Sequence, residues 1–300
     1  MTFTRRSKFT WELRTRSLEM GSRTLVMGVL NVTPDSFSDG GQFLHVSTAV
    51  PQGLRMLDEG ADILDIGGES TRPGQKEVLS AEEEQARVLP VIEGIRRARP
   101  DVIISVDTYK AATAIAAVRA GAEIINDVSG LLWDAEMAAA CARLECGVVL
   151  MHTRGRPDQW KSQPPLKPEE VLPLVRNELR ERLEDARKAG IAREKIVLDP
   201  GYGFGKRLDE NYPLLANQSE LLELDQPLLV GVSRKSFLAH ALKPLYQGKD
   251  APIAARLHAT IAATTAAILA GASVVRVHDV RPVVEAAHIA DAILQGDVRH

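Results

Sequence analysis

Eight short runs of aliphatic and β-branched residues, separated by longer segments with helical periodicity, constrain this 300-residue chain more than any other feature. The runs are Leu25–Leu30, Ile63–Ile66, Val102–Val106, Glu123–Ile125, Val148–Met151, Ile196–Leu198, Leu228–Val232 and Val274–Val277. Helical stretches such as Ser80–Arg99, Ala111–Ala120, Pro168–Ala189 and Ala254–Ala270 lie between them. Gly60, Gly121, Gly190 and Gly271 each follow a helical pattern, where a left-handed cap is wanted. Repeated strand–helix units imply a parallel sheet. Eight of them close into a (β/α)8 barrel of about 250 residues.

An open doubly wound sheet would carry a glycine-rich dinucleotide loop after its first strand. Here the first run leads instead into Asn31-Val32-Thr33-Pro34-Asp35-Ser36-Phe37. The expected architecture is therefore α/β, a single TIM barrel over residues 21–300 with an N-terminal extension over 1–20. The spacing of Trp11, Leu13 and Leu18 within Phe9–Met20 suggests a β-hairpin across the barrel floor. No low-complexity linker divides the chain.

A hydrophobic content of 45% supplies a large core. A net charge of −3 and a pI near 6.2 leave no basic stripe for nucleic acid. The two cysteines, Cys141 and Cys146, form neither a disulfide framework nor a zinc pattern, which suits a cytoplasmic protein. The apolar runs are too short and interrupted to span a membrane, and residues 1–16 lack the apolar core of a secretory signal. The stretch Ala254–Ala270 is apolar on nearly every face, whereas a barrel helix needs one apolar stripe. Burial against a second copy, as a homodimer, accounts for that; an alanine-rich helix with little facial preference is the alternative.

Barrel chemistry sits at the C-terminal ends of the strands. Those ends carry Asn31, Asp65, Asp107, Asn126, His152, Asp199, Ser233, Arg276 and His278. Helix capping accounts for Asp65 and His152 as well as a direct role does. It does not account for the set, because cations and an imidazole share the ring with carboxylates. Arg276 and His278 lie two residues apart and face the same way, making an anion site next to the last helix. An ion pair to a neighbouring carboxylate is the competing account. Asp107, Asn126 and Asp199 suit the hydrogen-bonding edge of a flat heterocycle, with a divalent cation as the alternative ligand. The segment Asp199–Lys206 is glycine-rich but lacks the Lys-Ser/Thr ending of a phosphate loop. Backbone N–H groups around Ser233-Arg234-Lys235 could hold a carboxylate. The loop Gly67-Gly68-Glu69-Ser70-Thr71-Arg72-Pro73-Gly74 has the composition of an anion-seeking loop at an active-site mouth.

These segments resemble the signatures of dihydropteroate synthase. The resemblance is carried by Asn31–Gly41, Gly67–Gly74, Ser105–Thr108, Asn126–Gly130, Asp199–Lys206, Gly231–Ser236 and Arg276–Asp279, and it spans roughly Met27 to Asp279. It implies a barrel that condenses 6-hydroxymethyl-7,8-dihydropterin pyrophosphate with p-aminobenzoate, with magnesium as cofactor and no nucleic acid or membrane as partner. It further implies that Asp107, Asn126, Asp199 and Lys235 bind the pterin, with Phe204 lining its slot. Asn31, Arg276 and His278 would hold pyrophosphate, Asn31 also taking the magnesium. Thr71 and Arg72 would close over the site and Asp35 would join it from the first loop. Ser233 would meet the benzoate carboxylate, beside Phe37, Pro73 and Thr71. The segment His152-Thr153-Arg154-Gly155 departs from the family, which has Met in place of Thr153. A pterin-dependent methyltransferase of the methyltetrahydrofolate/corrinoid type is the alternative reading; it needs neither the Thr71-Arg72-Pro73 loop nor an Arg-x-His pair.

Overall fold

A computed structural model describes residues 6–32, 42–69 and 79–296. A two-stranded antiparallel hairpin comes first, β1 (Phe9–Glu12) and β2 (Ser17–Met20), registered Phe9 to Met20. Eight parallel strands follow: β3 (Leu25–Asn31), β4 (Ile63–Gly67), β5 (Ile103–Asp107), β6 (Ile124–Asp127), β7 (Gly147–Met151), β8 (Ile196–Asp199), β9 (Leu228–Val230) and β10 (Ala272–Val277). They pair in chain order, and β10 closes on β3. The helices surrounding them are α1 (Gln42–Asp58), α2 (Ala81–Ala98), α3 (Ala111–Arg119), α4 (Met137–Leu144), α5 (Pro168–Lys188), α6 (Asn211–Ala216), α7 (Ser236–Ala241), α8 (Leu257–Leu269) and α9 (Val280–Gly296). The barrel and its hairpin are thus as expected from the sequence. None of the described helices is long and apolar enough to cross a membrane.

Local chemistry explains the boundaries. Ser80 caps α2: its hydroxyl accepts from the Glu83 N–H at 3.1 Å, and the Glu83 carboxylate accepts from the Ser80 N–H at 2.8 Å. The four glycines expected at helix ends all have φ near +100°, between +97° and +114°. The helix expected to begin at Ala254 begins at Leu257, because Ile253–Ala255 forms a separate 3₁₀ turn. Arg256 ends that turn, donating to the carbonyls of Ala251 at 2.9 Å and Arg234 at 2.9 Å.

The core has two parts. One lies between the outer strand faces and the helices, with Leu30, Leu64, Ile66, Ile104 and Val106 meeting α-helical residues such as Val88 and Ile92. The other fills the lower barrel, where Met27, Ile63, Ile103, Ile124, Val149 and Val274 meet Trp11, Leu13 and Met20 of the N-terminal segment. The hairpin therefore plugs the floor, away from the strand C-termini. Gly147 permits this docking: a Cβ there would lie 2.7 Å from Leu13 Cδ2 and 3.1 Å from Trp11 Nε1. The Trp11 indole is fully buried and donates to the Lys195 carbonyl at 2.9 Å. Trp11→Ala is expected to cost about 3–5 kcal/mol, by the cavity left behind and the lost transfer energy. A denaturant midpoint unchanged from the parent would contradict this role of the floor. Arg6 is also tied down: buried, it pairs with Asp291 of α9 and donates to the Ala272 carbonyl at 2.9 Å.

Candidate active site

Strand alternation carries the inward-facing residues from an apolar floor to a polar mouth. On β4 the inward positions run Ile63, Asp65, Gly67, and on β5 they run Ile103, Ser105, Asp107, in register pair by pair. Asn126 on β6 pairs with Asp107. Asp199 ends β8, and Arg276 lies next to the end of β10.

Arg276 joins this ring to its floor. Its Nε donates to Asp65 Oδ2 at 2.6 Å and its Nη2 donates to Asp107 Oδ2 at 2.6 Å. Asn126 Nδ2 donates to the same Asp65 oxygen at 3.0 Å. The competing ion pair is thus present, but a guanidinium has five N–H donors and, among the described residues, two of its nitrogens are engaged. Burial works against the charge on Arg276, yet the Asp65 and Asp107 carboxylates raise its pKa. Capping does not describe Asp65: it is wholly buried inside the barrel, and its described bonds go to two side chains across the pocket.

His278 sits at the other side of the same strand end. Its backbone N–H donates to Ser233 Oγ at 3.2 Å, and its Nδ1 lies 3.0 Å from that oxygen. Burial first, and then the Arg276 charge, push His278 down to about 3. At neutral pH it is a neutral imidazole, so the positive charge at this end belongs to Arg276.

The loop after β8 is braced from below. A Cβ on Gly201, at φ +66°, would fall 1.8 Å from the His152 carbonyl oxygen, so only glycine fits. Its N–H donates to Asp199 Oδ1 at 2.7 Å. Lys206 Nζ donates to the Gly201 carbonyl at 2.7 Å and contacts His152 Nδ1 at 2.8 Å. Lys206 and His152 are therefore buried supports for the Asp199 loop, a role that one-dimensional spacing does not reveal. Phe204 at the end of that loop stacks under Lys235, with Nζ 3.8 Å from the ring centroid. Thr153 is buried, and its hydroxyl donates to the Gly155 carbonyl at 3.0 Å, within its own loop. The sharp turn before Lys235 uses Arg234 at φ +59°, whose N–H donates to Thr260 Oγ1 at 3.0 Å. That turn aims Ser233 at His278 and Lys235 at Phe204.

Of the residues expected at the site, Asn31, Asp107, Asn126, Asp199, Phe204, Ser233, Lys235, Arg276 and His278 all lie on strand ends or the loops following them. Asp35, Phe37, Thr71, Arg72 and Pro73 lie outside the described residues. At the foot of the second loop, Lys110 pairs with Glu69 and, at 3.4 Å, with buried Glu84. Thr108 Oγ1 also donates to Glu84, at 3.0 Å. This network is not legible along the chain, since its members are distributed over the segment after β4, α2 and the loop after β5.

Burial gives the site two titrations near neutrality. It pushes the Asp107 carboxyl up to about 7, against the Arg276 charge and with the Asp65 charge. It pushes Lys235 down to about 7, against the Asp199 carboxylate. A ligand edge that needs an ionised Asp107 and a protonated Lys235 loses the first below this pH and the second above it. Affinity for such an edge is therefore expected to peak near pH 7, falling toward about tenfold per unit on each side. Titration calorimetry from pH 5 to 9 checks this, and Asp107→Asn should remove the acid limb. A monotonic profile in the parent would contradict the pairing.

The comparisons with known proteins agree with this geometry. The family described as pterin binding enzyme matches residues 27–278. The dihydropteroate synthase of Clostridium beijerinckii is 40% identical over 285 residues, covering 95% of this chain and 99% of the relative. That of Escherichia coli is 44% identical over 271 residues, covering 90% and 91%. The solved structure of Xanthomonas albilineans dihydropteroate synthase with 4-aminobenzoic acid superposes with a TM-score of 0.84 at 41% identity, covering 96% of this chain and 98% of that one. These relatives favour a synthase over a methyltransferase. With the strand-end ring, the closed barrel and near-complete coverage in agreement, this chain belongs to the dihydropteroate synthase family.

Proposed function

We propose that the strand-end pocket joins 6-hydroxymethyl-7,8-dihydropterin pyrophosphate to p-aminobenzoate, releasing 7,8-dihydropteroate and pyrophosphate. The observation that carries this reading is the convergence of Asp107, Asn126 and Asp199, from three different strands, on one pocket that also holds Lys235 and Arg276. Two carboxylates and an amide suit the ring N–H and amino donors of a pterin edge, and a lysine suits its carbonyl oxygen. Phe204 supplies an aromatic wall. The remaining donors of Arg276 and the neutral N–H of His278 are assigned to the leaving pyrophosphate, with Asn31; Thr71, Arg72 and Asp35 share that assignment through the family resemblance alone. Ser233 and the backbone around it are assigned to the benzoate carboxylate, and the resemblance gives Phe37 and Pro73 to the same ligand.

The donors present fit magnesium held mainly by its substrate. Among the described residues there is no group of three or more His, Cys, Asp or Glu side chains that could cage an ion. Asn31 offers one neutral oxygen at the rim, 3.8 Å from where a Cβ on Gly67 would stand. Such a site suits a hard cation that takes its other oxygens from water and phosphate. Bound there, magnesium would neutralise charge on the departing pyrophosphate.

The chemistry proceeds by departure of pyrophosphate, followed by attack of the amine on the exocyclic methylene. An electron-rich dihydropterin spreads the positive charge, so no protein nucleophile is required. Arg276 stabilises the leaving group and the pocket orients the amine. Bridge-labelled [18O]dihydropterin pyrophosphate incubated without p-aminobenzoate tests this order. Scrambling of label into the non-bridging positions, as fast as turnover, is expected; its absence in an enzyme that still turns over contradicts it.

Two further features belong to the same reading. Ala262 and Ala266 of α8, with Ile289 and Ile293 of α9, remain exposed, and Ile289 is 60% accessible. This apolar face is assigned to a second copy of the chain; a single-chain mass in sedimentation at micromolar concentration would contradict it. The buried thiols of Cys141 and Cys146, both free of a disulfide, are in keeping with a cytoplasmic setting.

A further inference from the structure

Asp65 lies one step deeper than the ligand-facing ring. Its register partner on β5 is Ser105, whereas Asp107 pairs with Gly67 and with Asn126. From that depth its Oδ2 receives Asn126 Nδ2 at 3.0 Å and Arg276 Nε at 2.6 Å. A carboxylate oxygen paired with the Arg276 guanidinium serves as an acceptor, so it admits one orientation of the Asn126 amide, with nitrogen turned down. The Asn126 Oδ1 is then turned away from Asp65, and one Nδ2 hydrogen is left over. The amide thus presents acceptor and donor in a fixed order.

That order distinguishes two classes of pteridine. A 2-amino-pteridine edge offers an amino donor beside a ring-nitrogen acceptor. A 2-oxo-pteridine edge offers a carbonyl acceptor beside a ring N–H donor, the reverse. We propose that Asp65 is a positioning and specificity-determining residue, which locks the Asn126 amide so that the pocket selects 2-amino- over 2-oxo-pteridines. It also holds Arg276, which sets the charge of the pyrophosphate end in register with the ring. This inference rests on the pterin reading given above.

The test compares equilibrium binding of 6-hydroxymethylpterin and 6-hydroxymethyllumazine to the full chain, with Asp65 intact and with Asp65→Asn. In the variant the residue-65 amide can donate or accept, so Asn126 is free to turn over. The parent should prefer the pterin strongly, with Asp199 supplying part of the preference. In Asp65→Asn the preference should fall by about tenfold, the worth of one buried hydrogen bond lost or reversed. Affinity for p-aminobenzoate should stay within about twofold, since that pocket lies elsewhere. A folded variant with an unchanged pterin-to-lumazine ratio overturns the inference. Asp65→Ser, which also removes the acceptor-only group, serves if the first variant does not fold. In the parent itself, the Asn126 side-chain amide should be strongly protected from hydrogen exchange, and rapid exchange there would overturn the inference without any substitution. Failure of the parent to bind pterin at all would instead sink the functional reading.

Discussion

Arg276→Ala is expected to lower p-aminobenzoate-dependent pyrophosphate release by about 10³-fold or more. Removing a single preorganised donor to a developing oxyanion typically costs about 10²–10³ in turnover, and removing an arginine from a phosphoryl leaving group more. Two effects add here. The first is the lost stabilisation of the pyrophosphate, for which the neutral His278 cannot substitute. The second acts through the pterin. Arg276 is the cation between Asp65 and Asp107, and its charge opposes the burial that already lifts Asp107 to about 7. Without it Asp107 holds its proton to higher pH and ceases to be an ionised acceptor. Arg276→Lys should recover part of the charge but not the two-point bridge, since an ammonium cannot reproduce the planar fork. Breaking a buried pair also costs about 3–5 kcal/mol of stability, so turnover is to be compared at a temperature where melting curves show the variant folded. Near-parent turnover in folded Arg276→Ala would contradict the leaving-group role.

Asp199→Ala is expected to weaken pterin binding by between about 30-fold and a few thousand-fold. Truncating one member of a buried, hydrogen-bonded charged contact costs about 2–5 kcal/mol. Asp199 contributes twice: as an acceptor for the ligand edge, and as the carboxylate that holds Lys235 protonated against burial. Its loss therefore moves Lys235 further down and removes a second donor from the pocket at pH 7. It also releases the Gly201 N–H, which it accepts at 2.7 Å, so the Phe204 loop loses one anchor while keeping those from Lys206. p-Aminobenzoate affinity, measured in the presence of saturating pyrophosphate, should change little. An equal loss for both ligands would mean that the loop has collapsed and that Asp199 does not read the pterin.

The barrel was legible in the chain because each strand–helix unit is local. Strand runs such as Leu25–Leu30 extend one residue into the site-bearing position, here Asn31, and the glycines at 60, 121, 190 and 271 mark helix ends through their backbone conformation. The hairpin over the floor was legible from Trp11 and Leu13. What was not legible is non-local. Asp65 looks like a helix cap along the chain, and only closure of β10 on β3 brings Arg276 to it across 211 positions. His152 and Lys206 seem unrelated until the loop after β8 folds over the end of β7. α8 starts later than the alanine-rich pattern implies because that pattern continues through a 3₁₀ turn, whose end is set by Arg256 reaching Ala251 and Arg234. The neutral state of His278 likewise depends on burial and on a neighbour two residues away, which composition does not reveal.

Coupling of a pterin to an aromatic amine with loss of pyrophosphate is tested by mixing the purified chain with 6-hydroxymethyl-7,8-dihydropterin pyrophosphate and magnesium, with and without p-aminobenzoate, and following pyrophosphate and 7,8-dihydropteroate together. Stoichiometric appearance of both, dependent on p-aminobenzoate, is the expected result. Tight pterin binding with neither product formed would contradict it.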